Sequence, residues 1–180
     1  MCEDPHPSSP GVGNAKKHTP SKDLDADSHI MEGNAFLSMG RVDEAIAEYR
    51  AAIEKDSKNA EAHYNLGLVY RKSKMLDEAI SEYREAIRIN PGNMNYHNNL
   101  GTALVVKGER TEALKEYDEA LKIEPDNATL HFNRGYALFE MGELTEAEKE
   151  YETALKINPA FDHARFYLGL LKRKMGAGKD

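Results

Sequence analysis

The chain has 180 residues, 31% of them charged, with a net charge of −7 at neutral pH and one cysteine, Cys2. The acidic balance excludes the basic face of a nucleic-acid binder, and a single thiol excludes both a disulfide framework and a cysteine-based zinc site. No apolar run precedes residue 30 and no segment is long enough to span a bilayer, so neither a signal peptide nor membrane insertion is expected, and the default location is cytoplasmic or nuclear.

Residues 1–25 hold four of the seven prolines and almost nothing apolar, so they are expected to form a disordered, solvated leader. Ser9-Pro10 and Thr19-Pro20 have the form of proline-directed phosphorylation sites, but such dipeptides are common in tails of this kind, and the plain leader is the preferred reading. From residue 26 the chain repeats itself. Gly33, Gly67, Gly101, Gly135 and Gly169 stand 34 residues apart. Ala45, Ala79, Ala113 and Ala147 keep the same register, as do Tyr49, Tyr83, Tyr117 and Tyr151, and Ala52, Ala86, Ala120 and Ala154. A fixed period of this size means a stacked array, and each unit reads as two helices. His63, Leu66, Gly67 and Tyr70 mark one face of a first helix; Ala79, Tyr83 and Ala86 mark one face of a second.

Four units follow in order, residues 26–59, 60–93, 94–127 and 128–161, then a single capping helix at 162–175 and a disordered end at 176–180. In the first unit Glu32 occupies the place of Leu66, as suits a terminal helix that is only half covered. In the second, Lys74 replaces the turn glycine found at Gly40, Gly108 and Gly142. Pro91, Pro125 and Pro159 end the second helices of units two to four, because proline lacks the amide that a helix needs. Arg134 takes the leucine place in unit four and reads as packing through its methylenes. In the cap, Lys172 stands where Tyr70 stood, a charge that suits a face with no second helix over it.

The period, Leu66-Gly67 followed by Tyr70, the Ala79, Tyr83 and Ala86 series and the closing Pro91 together resemble tetratricopeptide repeats over residues 26–175. The resemblance implies an all-α, right-handed solenoid of antiparallel helix pairs, and a non-enzymatic scaffold or adapter that holds an extended or helical segment of a partner protein. It also implies a concave groove lined by the first helices. At about 100° per residue, the side away from the packing stripe carries the candidate peptide-binding residues: Asn34; Tyr64, Asn65, Leu68 and Arg71; Asn98, Asn99 and Thr102; Phe132, Asn133, Tyr136 and Phe139; and Phe166 and Tyr167 on the cap. Asn65, Asn99 and Asn133 form a ladder at one-period spacing. An amide offers donors and an acceptor to an extended backbone, although the same asparagines could instead bridge adjacent helices. The aromatics toward the carboxyl end could form an anchoring pocket, with about half of them expected to be exposed.

Co-chaperones of this family hold a carboxyl-terminal carboxylate with two asparagines and several cations. Asn34 and Asn65 match the asparagines, but Ile30, Asn95 and Asn99 stand where cations are needed, and the next frame offers Tyr64, Thr129 and Asn133. Such a clamp is not expected here.

His29, His63, His97 and His131 also recur at the period. Successive units are about 8–10 Å apart, too far for imidazoles to share a zinc ion at about 2.0–2.1 Å. These histidines therefore read as structural, with loss of stability expected as they protonate in mild acid. The acidic residues of the second helices, Glu116 and Glu150 among them, read as a solvated outer face. No catalytic constellation, cofactor or metal is implied. Alternative readings are a weak homo-oligomer formed through exposed Phe166, Tyr167 and Leu168 on the cap, and an accessory targeting subunit of an enzyme or chaperone complex.

Overall fold

A computed structural model describes residues 18–176. Among them are nine helices and no strand: α1 Ala26–Ser38, α2 Val42–Lys55, α3 Ala60–Lys72, α4 Leu76–Ile89, α5 Met94–Lys107, α6 Arg110–Ile123, α7 Ala128–Met141, α8 Leu144–Ile157 and α9 Asp162–Gly176. Each first helix pairs with the second helix after it and leans on the second helix before it, and α9 closes the stack against α8. The chain is thus an all-α solenoid of helix pairs. Successive first helices α3, α5, α7 and α9 also pack on one another, more closely than any two second helices do. The first helices therefore lie on the inner side of the curve.

The helices start where the sequence supplies caps. Asp25, Asn59, Asn93 and Asn127 precede α1, α3, α5 and α7, and each side chain accepts an amide hydrogen bond from the first turn. Within each pair the seam is built from the smallest residue meeting the largest. A Cβ on Gly67 would lie 2.7 Å from the Tyr83 ring, and one on Gly101 would lie 2.8 Å from the Tyr117 ring. Glycine is there because the tyrosine ring fills the space that any side chain would need. The alanines beside these rings, Ala79, Ala86, Ala113 and Ala120, are fully buried.

The turns between paired helices need a left-handed residue, with φ of +73° at Gly40, +93° at Gly108 and +85° at Gly142. Lys74 holds the same place at φ +64°. Left-handed backbone strains a residue bearing a Cβ, so Lys74→Gly should raise the unfolding free energy by about 1 kcal/mol, net of the entropy that glycine adds to the unfolded chain. Urea titration of the two proteins measures it, and a less stable variant would refute the account.

Two features differ from the sequence reading. Residues 18–25, expected to be part of a solvated leader, lie as a strap against α1 and α2. The His18 ring stands edge-on to Phe36 with centroids 4.8 Å apart and bonds Glu48, while Lys55 Nζ donates to the Lys22 carbonyl at 2.8 Å. Among the described residues no earlier helix pair covers Phe36 and Glu48, and the strap lies over them instead. Cys2 and Ser9-Pro10 lie outside the described residues. Arg134, read as packing, is an ionic bridge, donating to Asp118 of α6 at 2.8 Å and to Glu150 of α8 at 2.6 Å. Its neighbours on both sides are carboxylates, so its head group is neutralised rather than solvated. Glu32 is exposed, and α9 runs through Gly176.

Candidate functional site

The predicted groove residues come together on the inner side of α1, α3, α5, α7 and α9. Beneath them run the seam tyrosines, whose hydroxyls end just under the groove floor. Tyr49 donates to Asn34 Oδ1 at 2.6 Å, and the Tyr117 hydroxyl pairs with Thr102 at 3.3 Å. In the second unit Leu68 occupies the corresponding place and cannot pair, and the buried Tyr83 hydroxyl has Arg71 as its polar neighbour, beyond the reach of a well-formed hydrogen bond. Burial pushes the Tyr83 and Tyr117 hydroxyls up to about 12, so both stay neutral at physiological pH.

The asparagine ladder is partly spent within the fold. Asn99 Nδ2 donates to the Tyr64 hydroxyl at 3.1 Å and to the Asn95 carbonyl at 2.9 Å. Asn133 Nδ2 donates to Asn98 Oδ1 at 2.9 Å. Both bonds tie one first helix to the one before it, 35 residues back. At the same offset from Asn65 stands Ile30, which is apolar and buried, so nothing there competes for the Asn65 amide. The Nδ2 groups of Asn99 and Asn133 thus brace adjacent first helices.

At the carboxyl end the aromatics form one cluster around Tyr167. Its ring meets Phe132 at 5.7 Å, Tyr136 at 5.4 Å, Phe139 at 6.2 Å and Phe166 at 5.5 Å, all edge-on. Lys174 sits 5.1 Å above Phe139. Phe132, Tyr136, Phe139 and Tyr167 are half-buried by this mutual packing, and Phe166 is 61% exposed. Leu168 is half-buried against the last core cluster, which leaves Phe166 as the exposed aromatic of the cap.

A second periodic constellation escaped the sequence reading. His29, His63, His97 and His131 bond Glu48, Glu82, Glu116 and Glu150 at 2.6, 2.6, 2.8 and 2.7 Å, each glutamate lying 19 residues on, in the partner helix. Glu116 and Glu150 thus face histidine rather than an open solvated surface. The two residue series share the period, so pairing them along the sequence would have revealed the contact. The other ring nitrogen of His97 donates to the Pro91 carbonyl at 3.1 Å, and that of His131 to the Pro125 carbonyl at 3.0 Å, so each imidazole also ties its unit to the loop before it.

The pH dependence expected from sequence has the opposite sign at two of these sites. The hydrogen bond to Glu82 raises His63 above its ordinary value of 6.5, with help from the Ser57 backbone; the bond to Glu116 does the same for His97, with the Pro91 carbonyl adding to it. A histidine with a raised folded-state pKa contributes stability that is fully present below its unfolded value and is lost as pH rises through the folded one. The stability difference between the wild type and His63→Gln/His97→Gln should therefore grow as pH falls from about 8 to about 6. Urea titrations at the two pH values measure it, and a difference that shrinks would overturn this assignment.

Among the described residues no group of three or more His, Cys, Asp or Glu side chains could hold a metal ion, and no helix is long and apolar enough to cross a membrane. Comparison with known proteins adds the following. The sequence matches a family model described as "TPR repeat" at residues 33–74 and 101–142, and two described as "Tetratricopeptide repeat" at 60–93 and 128–161. Nothing among curated proteins matches. Among solved structures the chain is similar to MamA protein, with 23% identity over 84% of this chain and 82% of that one and a TM-score of 0.79, a likeness of fold alone. It is also similar to YrrB, titled "a TPR protein with an unusual peptide-binding site", at 28% identity over 84% and 78% of the two chains with a TM-score of 0.73. A third is the first TPR of Spaghetti (RPAP3) bound to the HSP90 peptide SRMEEVD, at 26% identity over 67% and 96% with a TM-score of 0.64. Repeat fold and neighbours alike support a protein–protein interaction module, a class that is generally non-enzymatic. With glycine–tyrosine seams, alanine cores and matched sequence spans all falling in one 34-residue register, the chain belongs to the tetratricopeptide repeat family.

Proposed function

We propose that the chain is a non-enzymatic adapter that holds an extended segment of a partner protein along the inner face of its first helices. The observation that carries this reading is the division of labour in the asparagine row. Asn99 and Asn133 are fixed by their Nδ2 bonds, which orients their Oδ1 atoms in advance, and Asn65 keeps a whole amide to offer. Fixed acceptors cost little ordering entropy on binding, and they read a backbone rather than particular side chains. The aromatic cluster around Tyr167 then gives one end of the segment an apolar seat, with Phe166 the contact most open to it. The peptide-bound and peptide-binding relatives lend support to this use of the fold.

The manner of binding differs from a carboxylate clamp. Ile30 is buried, Asn95 is neutral and Asn99 is engaged, so none of the three positions where a clamp needs cations carries one. Peptides ending in a free carboxylate and in an amide should bind within about twofold of each other, because the charge-assisted bonds that would tell them apart are missing. The test is a selection of random peptides on the immobilised chain, repeated on the folded Asn65→Ala/Asn99→Ala/Asn133→Ala variant. Three lost bonds at about 0.5–1.5 kcal/mol each predict a fall in affinity of tenfold or more. No selected peptide, or peptides indifferent to the triple substitution, would remove the groove from consideration.

A further inference from the structure

The histidine series contains its own control. In later units the outer ring nitrogen finds an acceptor in the preceding loop: the Pro91 carbonyl for His97, the Pro125 carbonyl for His131 and the Ser57 backbone for His63. In the first unit the strap occupies that place, with Asp23 at the same spacing, but it supplies no such bond. His29 bonds Glu48 through Nδ1 and is fully buried, yet its Nε2 has no hydrogen-bond partner among the described residues. Burying an unpaired polar group is costly, so this nitrogen is an open position: with Nδ1–H given to Glu48, Nε2 accepts in the neutral ring and donates once the ring takes a second proton.

The space beside it is a cavity of about 760 Å³ between the strap and α2, and none of the groove residues lines it. Lys22, Arg50 and Lys55 are on its wall, with Glu54 as the one carboxylate there. Lys55 spends one donor on the Lys22 carbonyl and keeps two; Arg50 gives Nε and Nη2 to the Tyr70 hydroxyl and keeps Nη1. His29 thus shares the wall of this cavity with cationic donors that are not fully spent. Thr19, the exposed residue of the Thr19-Pro20 pair, lines the same cavity.

We propose that this cavity is an oxyanion site that receives a phosphoryl group, the anion binding together with a proton on His29 Nε2 that makes it the buried donor, and Lys22, Arg50 and Lys55 serving as counter-charges. Two sources share that chemistry. One is free phosphate from solution. The other is a phosphoryl group on Thr19 itself: a kinase transfers it from a nucleoside triphosphate to the threonine oxygen, the hydroxyl proton leaves, and the nucleoside diphosphate departs. In the second case the modification locks the strap onto the first unit, because the new charge sits among cations of α2.

The full chain tests both sources through the ¹⁵N resonance of His29 Nε2, which reports a new hydrogen bond at that atom. In one arm inorganic phosphate is titrated against chloride at equal ionic strength. In the other, phosphothreonine is installed at position 19. A saturable shift in either arm is expected, and which arm responds identifies the source. Lys22→Ala/Lys55→Ala should weaken the phosphate response by about tenfold or shrink the shift caused by phosphothreonine, whereas the exposed pair Lys115→Ala/Lys149→Ala should leave both unchanged, with circular dichroism confirming that all variants fold. No shift in either arm, a shift that neither pair alters, or equal losses from both pairs would overturn the site. None of these readings depends on peptide binding in the groove.

Discussion

Tyr117→Ala is expected to remove about 3–5 kcal/mol of stability, a large share of the roughly 5–15 kcal/mol that holds a domain of this size together. The ring is 2% exposed and occupies the notch that Gly101 leaves, between Ala113 and Ala120, both fully buried. Its loss opens a cavity that the neighbours cannot fill, since the alanines are too short and the glycine has nothing to offer. Tyr117→Phe keeps the ring and loses only the 3.3 Å pairing with Thr102, so it should cost about 1 kcal/mol or less. Urea titration of both variants decides the point. Equal losses would mean that the hydroxyl, and not the filled notch, holds the seam.

Tyr167→Ala should cost about 2–4 kcal/mol, concentrated at one end of the array. The residue gathers Phe132, Tyr136, Phe139, Tyr151 and Phe166 around a single ring, and edge-on aromatic pairs add about 0.5–1.5 kcal/mol each beyond buried area. Since α9 packs on α8 and α7 and on no later helix among the described residues, its amides should lose protection from hydrogen exchange before those of α3 to α6. Phe166→Ala, removing a ring that is 61% exposed, should stay within about 0.5 kcal/mol of wild type while weakening any segment seated at that end. Uniform loss of protection along the whole chain would show that the cap is not a separate layer of the stack.

The fold was legible because its signals are local and repeated. Gly67 with Tyr83 and Gly101 with Tyr117 state the seam twice over, and the helix period separates Leu66 from Asn65 without any structure. The inner face followed from the same arithmetic, which is why Tyr64, Asn99 and Phe132 share one surface. What was not legible was who meets whom across it. Whether Asn99 reaches Tyr64 depends on the offset between stacked helices, a tertiary quantity that no single repeat encodes. Arg134 looked like packing because its partners, Asp118 and Glu150, come from two different helices. The strap was hidden for another reason: proline and polarity describe what residues 18–25 do alone, whereas the uncovered Phe36 and Glu48 determine where they lie.

The common register has a further consequence for how such a chain can grow. Every device in the array is addressed by position within 34 residues: the capping asparagine, the glycine notch, the tyrosine that fills it, the histidine and its glutamate. A second copy of residues 94–127 inserted after Asn127 would start from an intact cap and present its own Asn99 equivalent to Asn98, the partner that Asn133 already uses. Lengthening the array by duplication therefore calls for no new contact chemistry, and a change of one or two residues in the period breaks all of it at once. In this architecture the gene gains reach in whole steps, and selection can act on the lining of each added step while leaving the joints alone.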